Sequence, residues 1–341
     1  MATTIRQVAA EAGVSIATAS RALGGSTAVV EATRQRVLGV AAALNYTPSR
    51  LGRSLATGST GNVGVILPDV TNPFYTSFLA ALESALGARD LGILVGDSHE
   101  SLDGERALIR RMHTQVDALV LASSRLPDAE IVEAANRIPV VLANRRLENA
   151  TALPTGLSQI ALDVGPGFTE AVEHLHALGH EAIVYVDGPP QSWSGRQKRE
   201  TLTRACARLG MRLAVTATER PDFEGGRRAL AAIDVDGTTA IVAFNDQVAL
   251  GLLSALRETG VCVPDRLSIV GCDDSLPHGL AWPPLTTVDS SSRMLGELTA
   301  AATLRMAATP HDTVPTSLIV RESTGACPAS SAPVPQSKEH S

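Results

Sequence analysis

From residue 62 onward the chain alternates short, largely apolar runs with intervals of helix length, and this rhythm restricts the fold more than any other feature. Val63–Leu67, Leu91–Val95, Ala118–Leu121 and Pro139–Leu142 form one series; Ala182–Val186, Ala240–Phe244 and Leu267–Val270 form another. Runs of four or five residues without polar alternation suit central strands buried on both faces, and the intervals between them suit crossover helices. The expectation is an α/β body of two doubly wound parallel sheets. Ligands of such sheets bind beyond the carboxyl ends of the strands, so the residues just after each run are the ones to inspect.

A chain of 341 residues with 44% hydrophobic content can bury a sizeable core and predicts two or three folding units. Its first twenty residues contain no continuous apolar run, so neither a secretory signal nor a membrane span is expected there, and the chain reads as cytoplasmic. Cys206, Cys262, Cys272 and Cys327 lie far apart with no Cys-x-x-Cys pair, an arrangement of reduced thiols rather than a zinc site or disulfide framework. The net charge of −6 is unevenly placed. Residues 1–57 hold six arginines against Glu11 and Glu31, a local +4, so the remainder carries −10. A small basic head on an acidic body fits a polyanionic partner for the head, although charge alone also fits a solvated basic face.

The head reads as helical. Thr4 and Gln7 form a capping box ahead of Ile5, Val8, Ala9 and Ala12, which share one helical face, and Gly13 ends the helix. Ser15 caps a second helix from Ile16 to about Leu23. Ala19, Ala22 and Leu23 face one way, and Ile16, Ala17, Ser20 and Arg21 the other. Two short helices joined by a tight glycine turn form a helix-turn-helix. A third helix carries Val37, Val40, Ala41 and Leu44 on its buried stripe.

The residues from Thr4 to Ala9 and from Ala12 to Arg21, then Thr33-Arg34 and Leu44-Asn45-Tyr46-Thr47-Pro48, closely resemble the head of the LacI/GalR (lac repressor) family, and the resemblance continues to about residue 325. It implies a sequence-specific repressor: a head over residues 1–47, a hinge helix and linker over 48–61, a two-lobed effector-binding and dimerisation domain over 62–325, and a tail over 326–341. It makes Thr4, Ser15, Ile16, Ala17, Thr18, Ser20, Arg21, Thr33 and Tyr46 candidate DNA contacts, with the helix after Ser15 entering the major groove. The chemistry agrees. Arg21 can donate twice to guanine, Ser20 and Thr18 can meet phosphate or a base edge, and Ile16 and Ala17 offer apolar contact to a thymine methyl. Gly24 stands where the family often has Asn. Val30 stands where Ser or Asp usually caps the third helix, a loss of about 1 kcal/mol unless a neighbour substitutes.

The hinge candidates are Ser49, Arg50, Arg53 and Leu55. An isolated helix this short is marginal in water, and Gly52 weakens it further, so it is expected to fold when docked. The resemblance places two such helices of a dimer in the minor groove, with Leu55 wedged between base pairs. It also implies that each lobe is discontinuous, with crossovers near residues 160, 288 and 317, as in periplasmic sugar-binding proteins.

For the effector, the residues following the strands are Asp69, Asn72 and Phe74 after the first, Arg145 beside Asn144 after the fourth, Arg196 at the helix after the fifth, Asn245 and Asp273 after the later two, and Phe223 where several relatives are aromatic. An arginine, an aspartate and an asparagine around an aromatic face suit a polyhydroxylated ligand, a sugar first of all. Asn245-Asp246 and Asp273-Asp274 equally suit helix capping and turns, roles compatible with binding.

His174, His176 and His180 look superficially like metal ligands but fit a helix C-terminus closed by Gly179, so no metal and no cofactor is expected. The Pro- and Ser-rich tail from Ala326 has no leucine heptads and is expected to be disordered, leaving a homodimer matched to a pseudo-palindromic operator. No Gly-x-Ser-x-Gly elbow, phosphate-binding loop or His-Glu-x-x-His motif suggests an enzyme. A secreted binding protein would share the body but have no use for residues 4–56.

Overall fold

The structure is a computed structural model and describes residues 3–24, 27–46, 58–148, 153–277, 280–305 and 312–328. The hinge candidates Ser49, Arg50, Arg53 and Leu55, and the tail beyond Pro328, lie outside these residues.

Three helices build the head: α1 (Ile5–Glu11), α2 (Ile16–Leu23) and α3 (Glu31–Ala43). Gln7 reaches back to accept from the Thr4 amide at 2.8 Å, and Ser15 Oγ accepts from the Thr18 amide at 3.1 Å. Gly13, at φ +63°, makes the turn between α1 and α2 in the left-handed region. The apolar stripes converge on Val8, Ala9, Ala12, Ala19, Ala22, Val29, Val37 and Ala41. Val30 sits at the N-cap of α3 without a side-chain cap bond, as its chemistry requires. Arg36 Nε donates to the Ala12 carbonyl at 3.0 Å and ties α3 to the end of α1.

The body contains two six-stranded sheets. Lobe 1 holds β1 (Asn62–Leu67), β2 (Gly92–Asp97), β3 (Ala118–Ala122), β4 (Val140–Ala143), β5 (Leu157–Asp163) and β11 (Asp312–Pro315), in the order β11-β5-β4-β3-β1-β2. Lobe 2 holds β6 (Ala182–Asp187), β7 (Arg212–Ala217), β8 (Ala240–Ala243), β9 (Ser268–Asp273), β10 (Thr286–Asp289) and β12 (Ser317–Ile319), in the order β12-β10-β9-β8-β6-β7. All neighbours pair in parallel except β12 against β10. The helices are α4 (Pro73–Gly87), α5 (Leu102–Met112), α6 (Asp128–Ala135), α7 (Gly165–Ala177), α8 (Trp193–Leu209), α9 (Phe223–Ala229), α10 (Asp246–Glu258) and α11 (Ser292–Arg305). The chain crosses between lobes after β5, after β10 and between β11 and β12. Helix α11 returns to lobe 1 and packs along α4, where a Cβ on Gly296 would stand 2.5 Å from the Phe78 carbonyl oxygen. That approach admits only glycine.

No helix of the described residues is long and apolar enough to cross a membrane. All four cysteines are free thiols. Among the described residues no group of three or more His, Cys, Asp or Glu could hold a metal. Two of the three histidines have structural partners instead: His174 Nε2 meets Thr324 Oγ1 at 2.9 Å. Buried His180 meets Thr239 Oγ1 at 3.0 Å, Ser268 Oγ at 3.1 Å and the Gly325 carbonyl at 3.2 Å, pinning the chain's last described segment to lobe 2.

Burial lowers the pKa of His180, the Gly325 carbonyl offsetting only part of this, and burial lowers His174 as well. At these two side chains the folded chain therefore binds fewer protons than the unfolded one. Their contribution is fully present above the unfolded value of about 6.5 and is lost as pH falls toward the folded value. The histidines' share, read as the urea-midpoint difference between the wild type and His180→Gln, should shrink between about pH 7.5 and pH 5. His180→Gln should cost about 1–3 kcal/mol at the higher pH through unpaired partners, yet flatten the slope. An unchanged slope would show that His180 does not carry the acid sensitivity.

Candidate functional site

Two surfaces stand out, one on the head and one between the lobes. On α2, Ile16 (45% exposed), Ala17 and Arg21 are exposed, Thr18 and Ser20 are half-buried, and Ala19 and Ala22 face the head's core. The face is thus an apolar pair beside an arginine and hydroxyls. The Ser15 and Thr18 hydroxyls lie 2.9 Å apart, and exposed Thr4 bonds Gln7. Thr33 is half-buried near the start of α3, and Tyr46 packs partly against the head's core, leaving one edge outward.

The second surface is a narrow cleft at the carboxyl ends of both sheets, with a cavity volume of about 30 Å³ within about 430 Å³ of atom-free space that includes its opening to solvent. Lobe 1 contributes Asp69, Asn72, Phe74 and Tyr75 after β1, Glu100 after β2, Ser123 and Arg125 after β3, and Asn144 after β4. Lobe 2 contributes Ser194 and Lys198 from α8, Pro221 before α9, Phe244 and Asn245 after β8, and Asp273 at the end of β9. Glu100, Ser123, Asn144 and Asp273 take φ values of +56°, +47°, +55° and +113°. Non-glycine residues held in the left-handed region cost energy, and such strain concentrates where side chains must be aimed.

Arg125 is buried and bidentate on Glu100, at 2.8 and 3.0 Å. It also donates to the Ser123 carbonyl at 3.1 Å and, across the cleft, to Ser192 Oγ at 3.2 Å. Behind it Glu105 Oε2 accepts from the Arg125 amide at 3.1 Å, and burial raises that carboxyl's pKa. Lys198 Nζ donates to the Phe244 carbonyl at 2.8 Å and lies 4.4 Å from the Phe244 ring centroid. Burial disfavours its charge, but Cys272, Asp273 and Asp187 around it outweigh that and hold its pKa above the ordinary amine value. Burial raises the carboxyl of Asp273, against the opposing pull of Lys198, and pushes neighbouring Asp246 up to about 7 with Asp273 adding to the effect. Asn144 Nδ2 donates to Ser123 Oγ at 3.1 Å, while its Oδ1 is buried without a hydrogen-bond partner. A ligand donor would complete it.

The expected effector residues divide. Asp69, Asn72, Phe74, Asn245 and Asp273 line the cleft; Arg145, Arg196 and Phe223 do not. Arg145 turns away to bond Asp128 at 2.6 Å and the Arg146 carbonyl at 2.6 Å, fastening the loop after β4 to the start of α6. Arg196 sits two positions from Ser194 and Lys198, which are one turn apart on the cleft face of α8, so it points elsewhere and pairs with Glu148 of lobe 1. Phe223 opens α9 with its ring 37% exposed outside the lining; Pro221 lines the cleft in its place. Within the lining, Asn245 spends both amide atoms locally, accepting from the Val248 amide at 2.9 Å and donating to the Pro221 carbonyl at 2.8 Å. It is a cap and a wall. Sequence reasoning missed Lys198 and Arg125, although helical phase and position after a strand respectively could have found them.

A three-helix head with an exposed helix-turn-helix face, joined to a two-lobed α/β body, is the architecture of a DNA-binding transcriptional regulator. Residues 4–49 match the family described as bacterial regulatory proteins, lacI family, and residues 172–324 match a periplasmic binding protein-like domain. The repressor CytR of Escherichia coli K12 is 33% identical over 293 residues, covering 84% of each chain, and GalR of the same organism is 32% identical over 298 residues, covering 84% of this chain and 83% of its own. The lac repressor dimer bound to operator and the anti-inducer ONPF superposes with a TM-score of 0.81 at 25% identity, covering 96% of this chain and all of that one. A ribose-bound regulator from Enterococcus faecalis V583 gives 0.68 at 28% identity, covering 78% of this chain and 99% of its own. The chain belongs to the LacI family of transcriptional regulators.

Removing the Arg125 guanidinium would leave Glu100 and Glu105 without their buried counter-charge. Arg125→Ala should therefore cost about 3–5 kcal/mol in urea unfolding followed by circular dichroism, with Arg125→Lys recovering part. A loss under about 1 kcal/mol would show the pair to be dispensable for the fold.

Proposed function

We propose that the chain is a homodimeric repressor whose affinity for a pseudo-palindromic operator is set by a small polyhydroxylated metabolite, a sugar, held between the lobes. The observation that carries this reading is the pairing of the solvent-facing Ile16-Ala17-Ser20-Arg21 surface with a cleft whose polar groups come from both lobes. The operator-bound dimer and the ribose-bound relative support it. So does a cleft that mixes donors, acceptors and aromatic walls rather than one sign of charge.

In this reading residues 1–47 form the DNA-binding head, 48–61 the hinge and linker, 62–325 the effector-binding and dimerisation body, and 326–341 the tail. Asp69, Asn72, Asn144, Lys198 and Asp273 orient the ligand's hydroxyls, and Phe74 and Phe244 supply apolar walls. The chain performs no catalysis and acts in the cytoplasm. Ligand contacts made by both lobes favour one relative angle of the lobes and hence one placement of the paired heads. Polar contacts already bridge the lobes: Arg125 to Ser192, Gln247 to the Thr71 carbonyl at 3.2 Å, and Arg196 to Glu148.

Selection of bound duplexes from a random pool, followed by anisotropy titrations with a panel of sugars and nucleosides at fixed salt, tests the reading. A symmetric site whose affinity shifts about 5- to 150-fold with one compound is expected, and operator should shift that compound's affinity by the same factor. Arg21→Ala should weaken the selected site about tenfold or more while leaving the cleft's ligand bound. Lys198→Ala should abolish the response and leave DNA affinity intact. Failure to select any symmetric site would remove the repressor reading; loss of both functions in either folded variant would remove the division of labour.

A further inference from the structure

The linker's exit onto lobe 1 is held by one carboxylate. Asp117 Oδ2 accepts from the Ser59 hydroxyl at 2.6 Å and the Gly61 amide at 2.9 Å, and Oδ1 accepts from the Thr60 amide at 2.7 Å and the Thr60 hydroxyl at 2.9 Å. Four donors from three consecutive residues thus converge on one side chain. The backbone then continues the attachment: the Asp117 amide donates to the Asn62 carbonyl at 2.8 Å and the Gly92 amide to the Gly61 carbonyl at 2.8 Å. Although part burial works the other way, these bonds hold the Asp117 carboxyl below its ordinary pKa, so it is anionic at neutral pH.

We propose that Asp117 is a positioning residue for operator recognition: its carboxylate fixes residues 59–61 to lobe 1, so that the placement of each head is set by the lobe rather than absorbed in a slack linker. This rests on the repressor reading above. Asp117 immediately precedes β3, and Ser123 and Arg125 of the cleft immediately follow it, so one buried strand carries the linker's anchor at one end and cleft residues at the other.

The magnitude is decisive. With Gly61 still held by the Gly92 amide, Ser59 and Thr60 released from their anchor can extend about 3.5 Å each, at most about 7 Å in all. One base pair advances the duplex by about 3.4 Å. Anchored linkers make a dimer sensitive to half-site spacing, whereas two freed residues per protomer can take up a change of a base pair with little loss of effective concentration.

The test uses the full chain and labelled duplexes bearing its selected half-sites at the selected spacing and at one base pair more or fewer. The wild type should bind the altered spacings at least about tenfold more weakly, and Asp117→Ala should bring all three within about threefold. Because the readout is a ratio within one protein sample, partial unfolding cancels. Where Asp117→Ala does not fold, the double variant Ser59→Ala, Thr60→Ala, which retains the carboxylate and the two backbone bonds, should shift the ratio in the same direction by less. A folded variant with the wild-type spacing profile overturns the assignment. A wild type that selects no symmetric site overturns the repressor reading, and this inference with it.

Discussion

The guanidinium of Arg125 is the interaction on which the cleft's geometry depends. A buried cation at the junction of two lobes is costly unless every donor is used. Here the fork closes on Glu100 at the end of β2, on the Ser123 carbonyl at the end of β3, and on Ser192 of the opposite lobe. Its geometry fixes where three loops end and holds two of their residues, Glu100 and Ser123, in left-handed backbone. The contact to Ser192 is a single hydrogen bond to a neutral hydroxyl, the one to Glu100 a pair of hydrogen bonds to a carboxylate. Lobe 1 is therefore pre-assembled, and of the bonds Arg125 makes, the one across the cleft is the weaker, the order needed if the lobes are to move relative to each other.

Chain connectivity limits that motion to a few paths. The three crossings lie side by side, where a Cβ on Gly167 would meet Val288 at 2.5 Å and where the Gly167 amide donates to Thr316 Oγ1 at 3.2 Å. Thr316 in turn donates to the Asp163 carbonyl at 2.8 Å. Three strands of backbone locked this closely act as a hinge and resist sliding. On the proposed reading, a ligand would then change the opening angle far more readily than the lateral register of the lobes.

The central strands were legible because their chemistry is uniform: β1, β3, β4, β6, β8 and β9 are apolar runs buried on both faces. Strands β5, β7, β10, β11 and β12 were not, each for a physical reason. In β10 two of the three buried residues are threonines whose hydroxyls are consumed, Thr287 by Asp246 at 2.6 Å and Thr286 beside Thr324 at 3.1 Å. In β5, Gln159 is buried because its Oε1 accepts from the Leu147 amide at 2.6 Å. Polar residues that bury with a partner leave no periodic signal, since the partner lies far along the chain. Strand β7 lies at a sheet edge and is largely exposed, so no apolar pattern was needed. The cleft shows the same division. Residues in short strand-to-helix motifs, such as Asn72 and Phe74, could be placed from sequence. Arg196 and Lys198 differ only by helical phase, and two positions along a helix turn a side chain by about 200°, from the cleft to its rim.

The acidic body and basic head acquire a structural reason from this arrangement. Cations of the body are largely committed internally: Arg125 to Glu100, Arg145 to Asp128, Arg227 to Glu258 and Arg321 to Asp274. Arg21 projects from an exposed helix instead, where its charge remains available to a polyanion. A body in which many arginines are paired and whose net charge is negative offers a polyanion less attraction than the basic head does. On the proposed repressor reading, the linker's mechanical attachment, rather than any attraction between body and DNA, would then be the route by which events in the cleft reach the duplex. A parallel strand of five or six residues spans only about 17–20 Å, short enough for lobe 1 to carry its cleft edge and its linker edge as one rigid piece.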